Sequence, residues 1–315
     1  MLLSFFNKKK SKKGLIGVDF QPGRISIAHI IHGDKPGDKP RLKQCAFEEL
    51  ASEDNEPAQD VSQALQKMSK SFPVSQFACN SSVSGGSYEL LLVDAPNVES
   101  AELKQAVRWR IKDQLPYHID DAVVDVFEIP GQQSTRAKLM YVVASQKQDL
   151  DRQVALFKQA GMTIQFIDIY ELAQRNIAAI LPEDKDGLVT LKLNDNDGLL
   201  TITRNGTLYL TRKIDFSCER LAQIMSLEDS EIDLSMDEVE GIENIAESDE
   251  VNHKETSSES EAEKTLLSEQ ARLIIDEVIL EIQRSLDYYV SHFNQRAVSK
   301  IVFAPVVEET PGVLE

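Results

Sequence analysis

Cysteine is scarce in this 315-residue chain, tryptophan scarcer still, and no stretch stays apolar for long. Each shortage closes off a class of protein. The three cysteines, Cys45, Cys79 and Cys218, are odd in number and far apart. They make neither a disulfide framework nor a zinc site, which points to a reducing compartment. No apolar run approaches the ~18–20 residues that cross a bilayer. The longest candidate, 271–293, is broken by Arg272, Asp276, Glu277, Glu281, Arg284 and Asp287. At the N-terminus the lysines follow the apolar Met1-Leu-Leu-Ser-Phe-Phe6 instead of preceding it, the reverse of a secretory signal. His29, His32, His118, His253 and His292 include no pair at metal-ligand spacing. There is no Gly-x-Ser-x-Gly elbow and no phosphate loop ending in lysine. Cations are in deficit too: 34 Lys and Arg stand against 52 Asp and Glu, a net charge of −18. Generic nucleic-acid binding rests on neutralising phosphates, so it is not expected. The expectation is a soluble, cytoplasmic chain with no bound metal.

The acidity is local. Between Glu228 and Glu263 lie fifteen Asp and Glu, several serines, one lysine and no aromatic residue. Such a segment cannot bury enough apolar surface to offset ~1–2 kcal/mol of backbone entropy per residue. A disordered acidic insertion over 226–265 is therefore expected, with a docking strap for a basic partner as the other reading. At the opposite pole, Phe5 and Phe6 stand beside Lys8, Lys9, Lys10, Lys12 and Lys13. That pairing suits an anionic membrane surface and marks a candidate peripheral contact; a frayed basic tail over 1–13 is the plainer reading.

With 42% apolar residues, the remainder can bury cores for about two domains at ~150 residues each. Strands are expected at 15–19 and 24–30 around the turn Gln21-Pro22-Gly23, then at 42–47, 76–80 and 88–94. A helix is expected over 61–68. A second, capped by Asn97 or Ser100, carries Leu103, Ala106, Val107, Ile111 and Leu115 at helical spacing until Pro116. Strands at 123–129, 139–144 and 163–167 alternate with helices at 149–159 and 169–180. The second half opens with strands at 188–193, 199–204 and 208–213, the last two joined by Asn205-Gly206, a strong hairpin signal. A long apolar stripe from Ala271 to Phe293 and a strand at 300–304 follow. Alternating β and α segments indicate an α/β protein whose halves repeat one theme.

Chemistry-bearing motifs are few. Gly17-Val-Asp-Phe-Gln-Pro-Gly23 sets an acid and two glycines at a strand-to-hairpin turn, where backbone amides can hold a phosphate. Asp and Gly are also what most turns contain. Trp109, the one tryptophan, lies between Arg108 and Arg110 and reads either as core or as an aromatic anchor for a partner.

The order of these segments resembles the PilM proteins of type IV pilus assembly. The resemblance is carried by Gly14-Leu-Ile-Gly-Val-Asp19, Leu90-Leu-Leu-Val-Asp-Ala-Pro96, Ala106-Val-Arg-Trp-Arg-Ile-Lys-Asp-Gln-Leu-Pro-Tyr117, the Asn205-Gly206 hairpin and Glu281-Ile-Gln-Arg-Ser-Leu-Asp-Tyr-Tyr289. Within the family the chain looks most like the branch serving the mannose-sensitive haemagglutinin (MSHA) pilus. The resemblance implies a two-lobed actin-like fold, FtsA-like and ribonuclease H-like. Lobe 1 would comprise 14–83 and 162–186, with an inserted subdomain at 84–161; lobe 2 would be 187–315. It also implies a place at the inner face of the inner membrane and a PilN-like membrane protein as partner. That partner's N-terminal peptide would meet Trp109, Val107, Ile111 and Leu115.

ATP with magnesium is what some relatives take between the lobes. Here Lys192 and Asn194 stand where the family's second hairpin has an acid and a glycine, and Ala304-Pro305-Val306 replaces Ala-Gly-Gly. Only Gly17, Asp19 and Gly23 persist of the nucleotide elements. The chain is thus expected to be a non-catalytic scaffold with no cofactor. The alternatives are an ATPase that drives assembly and the cytoplasmic half of a GspL-like type II secretion protein.

Overall fold

The computed structural model describes residues 14–21, 23–33, 38–50, 57–84, 86–132, 138–193, 197–216 and 255–304, with side chains from 61 in the first helix and from 272 in the last. Contacts divide the chain into two units, Met1–Ile180 and Leu181–Glu315.

In the first unit, strand β1 (Gly14–Gln21) buries Ile16 and Val18, and β2 (Arg24–Ile31) buries Ile25 and Ile27. Period-two spacing puts all four on one face. Gln21 pairs with Arg24, so the turn has two residues, and Gly23 takes φ +70°, a region a Cβ disfavours. Strand β3 (Arg41–Glu49) adds antiparallel outside β2. Helix α1 (Pro57–Ser69) lays Ala64, Leu65 and Met68 on the Ile16 face. β4 (Cys79–Ser82) then runs parallel to β1.

Next comes a separate antiparallel sheet of β5 (Tyr88–Asp94), β6 (Ala122–Glu128) and β7 (Leu139–Gln146), in the order β5-β7-β6. Helix α2 (Leu103–Ile111) covers one face, packing Val107 and Ile111 on Ala122, Val124, Met140, Val142 and Ala144. On the other face, Val143 meets Leu150 and Ile169. The central strand β7 is therefore covered on both sides, which explains its unbroken apolar run. Neither Asn97 nor Ser100 caps α2: the N-cap is Glu102, with no side-chain cap bond, and a 3-10 turn at Lys112–Gln114 carries the chain to Pro116.

Helix α3 (Lys147–Gln159), β8 (Ile164–Asp168) and α4 (Tyr170–Ala178) complete the unit. β8 joins β4 in parallel, giving a five-stranded sheet ordered β3-β2-β1-β4-β8. The expected inserted subdomain included α3. The structure corrects this, because Leu156, Phe157 and Ala160 pack into the five-stranded sheet's core while only the start of the helix, at Leu150, meets the smaller sheet.

The second unit repeats the pattern. β9 (Leu188–Leu193), β10 (Gly198–Arg204) and β11 (Thr207–Ile214) are antiparallel, and β12 (Lys300–Phe303) lies parallel to β9, in the order β11-β10-β9-β12. The hairpin expected at Asn205-Gly206 is there, with both residues at positive φ. Asp184, buried in the preceding 3-10 turn Pro182–Asp186, secures it: its carboxylate accepts from Thr203 Oγ1 and Gly206 N, both at 2.6 Å. That turn packs on β9 and β10, so the division falls after Ile180 and not after 186.

Helix α5 (Glu255–Phe293) packs on β11 through Val278, Ser285, Tyr289 and Phe293, with Tyr209 edge-on to Tyr289 and Phe293. It starts inside the stretch expected to be disordered, so 255–265 is helical; the earlier part of the insertion lies outside the described residues. No described helix is long and apolar enough to cross a membrane. Three antiparallel strands, a helix and a parallel fourth strand, built twice, with a parallel fifth in the first unit, make the actin-like, ribonuclease H-like α/β arrangement.

Candidate functional site

Ligands of open sheets gather beyond the C-terminal ends of parallel strands. In the first unit those ends belong to β1, β4 and β8, and polar side chains meet there. Asp19 accepts from Ser82 Oγ at 2.8 Å through one carboxylate oxygen and from Gln21 Nε2 at 2.7 Å through the other. Just below, Ser81 Oγ donates to Val18 O at 2.8 Å. Gln153 Nε2, reaching from α3, donates to Ser81 Oγ at 2.9 Å and to Ser82 O at 2.8 Å. Asp168 lies opposite Ser82 in register and accepts from Ile169 N at 2.9 Å. Burial holds its carboxyl above the usual carboxylate range, against the opposing pull of that N–H and of Arg175.

Sequence reasoning found Asp19, Gly17 and Gly23 but missed Ser82, Gln153 and Asp168. The available signal was slight: an apolar run, Phe166-Ile167, ending in an acid before a helix. At Gly17 a built Cβ would meet nothing within 4 Å, so the sheet face is open there. Gly23 serves the turn through its φ.

A magnesium triphosphate takes one or two carboxylates for the metal and backbone donors for the phosphates. Both oxygens of Asp19 already accept from neutral side chains, and Pro22 has no N–H to offer. In the second unit Lys192 occupies β9 opposite Leu199, a cation where the resemblance calls for an acid. Asn194 and Pro305 lie outside the described residues. Among the described residues, no group of three His, Cys, Asp or Glu stands close enough to hold a metal. Of the expected nucleotide elements, the described residues thus offer one hydrogen-bonded acid and one cation.

The helix expected to grip a peptide is α2. Lys104 pairs with Asp125 at 2.7 Å, Arg108 donates to Ala122 O at 3.0 Å and Ile119 O at 2.6 Å, and Arg110 donates to Asp94 O at 3.0 Å. Its basic residues thus clamp it to the β5-β7-β6 sheet. Val107 and Ile111 are wholly buried against that sheet and Leu115 packs partly against the same core. The first two are corrected from partner contacts to core. Trp109 points the other way, 66% exposed, with Lys112 Nζ 5.7 Å from its ring centroid, so its core reading is overturned. A surface hollow of about 690 Å³ lies at the joint of β7 and α3, lined by Asp121, Lys147, Gln148, Asp151 and Arg152 among others. None of Val107, Trp109, Ile111 and Leu115 lines it. Phe5, Phe6, Lys8, Lys9 and Lys10 lie outside the described residues.

Fold and site together define an actin-like protein with a hydrogen-bonded strand-end cluster around Asp19 and Ser82. The profile of the type IV pilus assembly protein PilM matches residues 17–315. The chain belongs to the PilM family. No curated protein sequence matches it. Among solved structures, a chain of the PilM-PilN type IV pilus biogenesis complex is similar with a TM-score of 0.63 at 14% identity, over 92% of this chain and 81% of that one. Weaker likenesses are the cytoplasmic domain of EpsL, an inner-membrane component of the Vibrio cholerae type II secretion system (TM-score 0.42, 12% identity, 67% of this chain and 74% of that one), and the ethanolamine utilization protein EutJ from Carboxydothermus hydrogenoformans (0.38, 10%, 91% and 83%).

Proposed function

We propose that the chain is a non-catalytic scaffold of type IV pilus biogenesis. It works in the cytoplasm at the inner face of the inner membrane and holds the N-terminal peptide of a PilN-like membrane protein. Within the family we assign it to the MSHA pilus, on its resemblance to MshI. Membership of the PilM family and likeness to a chain of the PilM–PilN complex support the partner. The observation that carries the scaffold reading is the state of the two hairpins: an Asp19 whose oxygens are both engaged, and a lysine at position 192.

Trp109 reports on the partner. It is exposed on a subdomain whose helix is clamped in place, so a docked peptide has a rigid aromatic anchor to cover. Titrating the purified protein with the N-terminal peptide of the PilN-like partner should shift Trp109 emission and give a saturable calorimetric signal. Trp109→Ala should weaken it. Absence of binding at high micromolar peptide would defeat the proposal.

A further inference from the structure

Among the described residues, no strand pairs with the outer edge of β3, the outermost strand of the first unit. Its first seven residues are exposed, and it ends the β3-β2-β1-β4-β8 sheet. Leu42 and Phe47 are 62% and 60% exposed, although they belong to a strand of a folded sheet. Register against β2 sets Leu42, Cys45 and Phe47 opposite Ile30, Ala28 and Ser26, on one face. Arg41 and Glu48 stand opposite Ile31 and Ile25, on the other face. Lys43 is the residue left over at the irregularity beside His29 and Ile30. A bare edge carrying large apolar side chains is a template for another strand.

The strand is also complementary to itself. Its cations, Arg41 and Lys43, are at the start and its acids, Glu48 and Glu49, at the end. An antiparallel pair related by a two-fold axis sets the start of one strand against the end of the other.

We infer that β3 pairs with β3 of a second copy of this chain, joining two five-stranded sheets edge to edge. With the axis at Cys45, Leu42 of one copy lies beside Phe47 of the other on the open face. Arg41 of one copy faces Glu48 of the other on the α1 side. Aliphatic–aromatic and opposite-charge cross-strand pairs are the kinds that stabilise such ladders. The Glu48 carboxylate already pairs with Lys67, so Arg41 joins an existing ion pair. Arg24, stacked over Phe47 at 4.8 Å and paired with Glu49 at 3.5 Å, fixes the Phe47 ring at the edge. The inference is independent of the proposed function.

The test uses the full chain. Sedimentation equilibrium should give a dimer, and a short bismaleimide should link Cys45 to Cys45 in a Cys218→Ser background. Leu42→Lys with Phe47→Lys sets like charges and apolar loss at the seam; it should leave circular dichroism unchanged and yield a monomer. Arg41→Glu should weaken the dimer, and adding Glu48→Arg on the same chain should restore it. A monomeric wild-type protein overturns the inference. So does a dimer that survives the double lysine variant without a Cys45 link. Protection of β3 amides from hydrogen exchange by the PilN-like peptide alone would assign the edge to that peptide and equally overturn it.

Discussion

Two thiols in the five-stranded sheet sit in opposite surroundings. Cys79, on β4, is wholly buried, and burial pushes its thiol up to about 11 although a bond to the Thr163 backbone pulls the other way. Cys45, on β3, is exposed. Iodoacetamide at mildly alkaline pH should label Cys45 in the native protein and spare Cys79 until denaturant is added, as peptide mapping would show. Because the folded pKa is raised, the neutral thiol's contribution is intact below the unfolded value and lost as pH rises through about 11. Asp184 offers a second residue-scale test. It is 3% exposed and accepts from the Thr203 hydroxyl and the Gly206 N–H. Asp184→Ala strands both donors and should cost about 1–3 kcal/mol in urea unfolding.

Elements show where period alone misleads. The helical spacing of Leu103, Val107, Ile111 and Leu115 was legible, and α2 is a helix. Its function was not, because the stripe expected to receive a peptide is spent on β5, β6 and β7. Ile111→Ala should therefore lower stability by about 2–5 kcal/mol. Trp109→Ala should leave the unfolding midpoint nearly unchanged and affect only peptide binding. Equal destabilisation by both would place Trp109 in the core. The hairpin at Asn205-Gly206 was read correctly because its turn requires positive φ at both positions, and few residues supply that. The end of the acidic insertion was misread because composition averages over a window. Glu255–Glu263 belongs to a helix whose C-terminal half packs on β11.

At the scale of the molecule, the two units repeat one strand order while their hairpins differ in chemistry. A nucleotide site in working order stabilises its protein by ~2.7 kcal/mol at a hundred times Kd. Mg-ATP should produce no thermal shift here. A reproducible shift that vanishes in Asp19→Ala would instead favour the ATPase reading.

Strands, helices and the doubled α/β plan were readable from the chain alone, since periods of two and 3.6 and the turn residues act between near neighbours. Lys192 was readable too as a residue identity, though only the resemblance to PilM proteins makes an acid the expectation there. Which apolar stripe became core, and which strand was left bare, depended on what packs across it. Val107 and Ile111 are buried because a sheet lies against them, while Leu42 and Phe47, on the outermost strand β3, stay more than half exposed. Ser82 likewise met Asp19 only when β4 was laid beside β1, and Gln153 and Asp168 came to Ser82 from α3 and β8, a neighbourhood created by folding across long stretches of sequence.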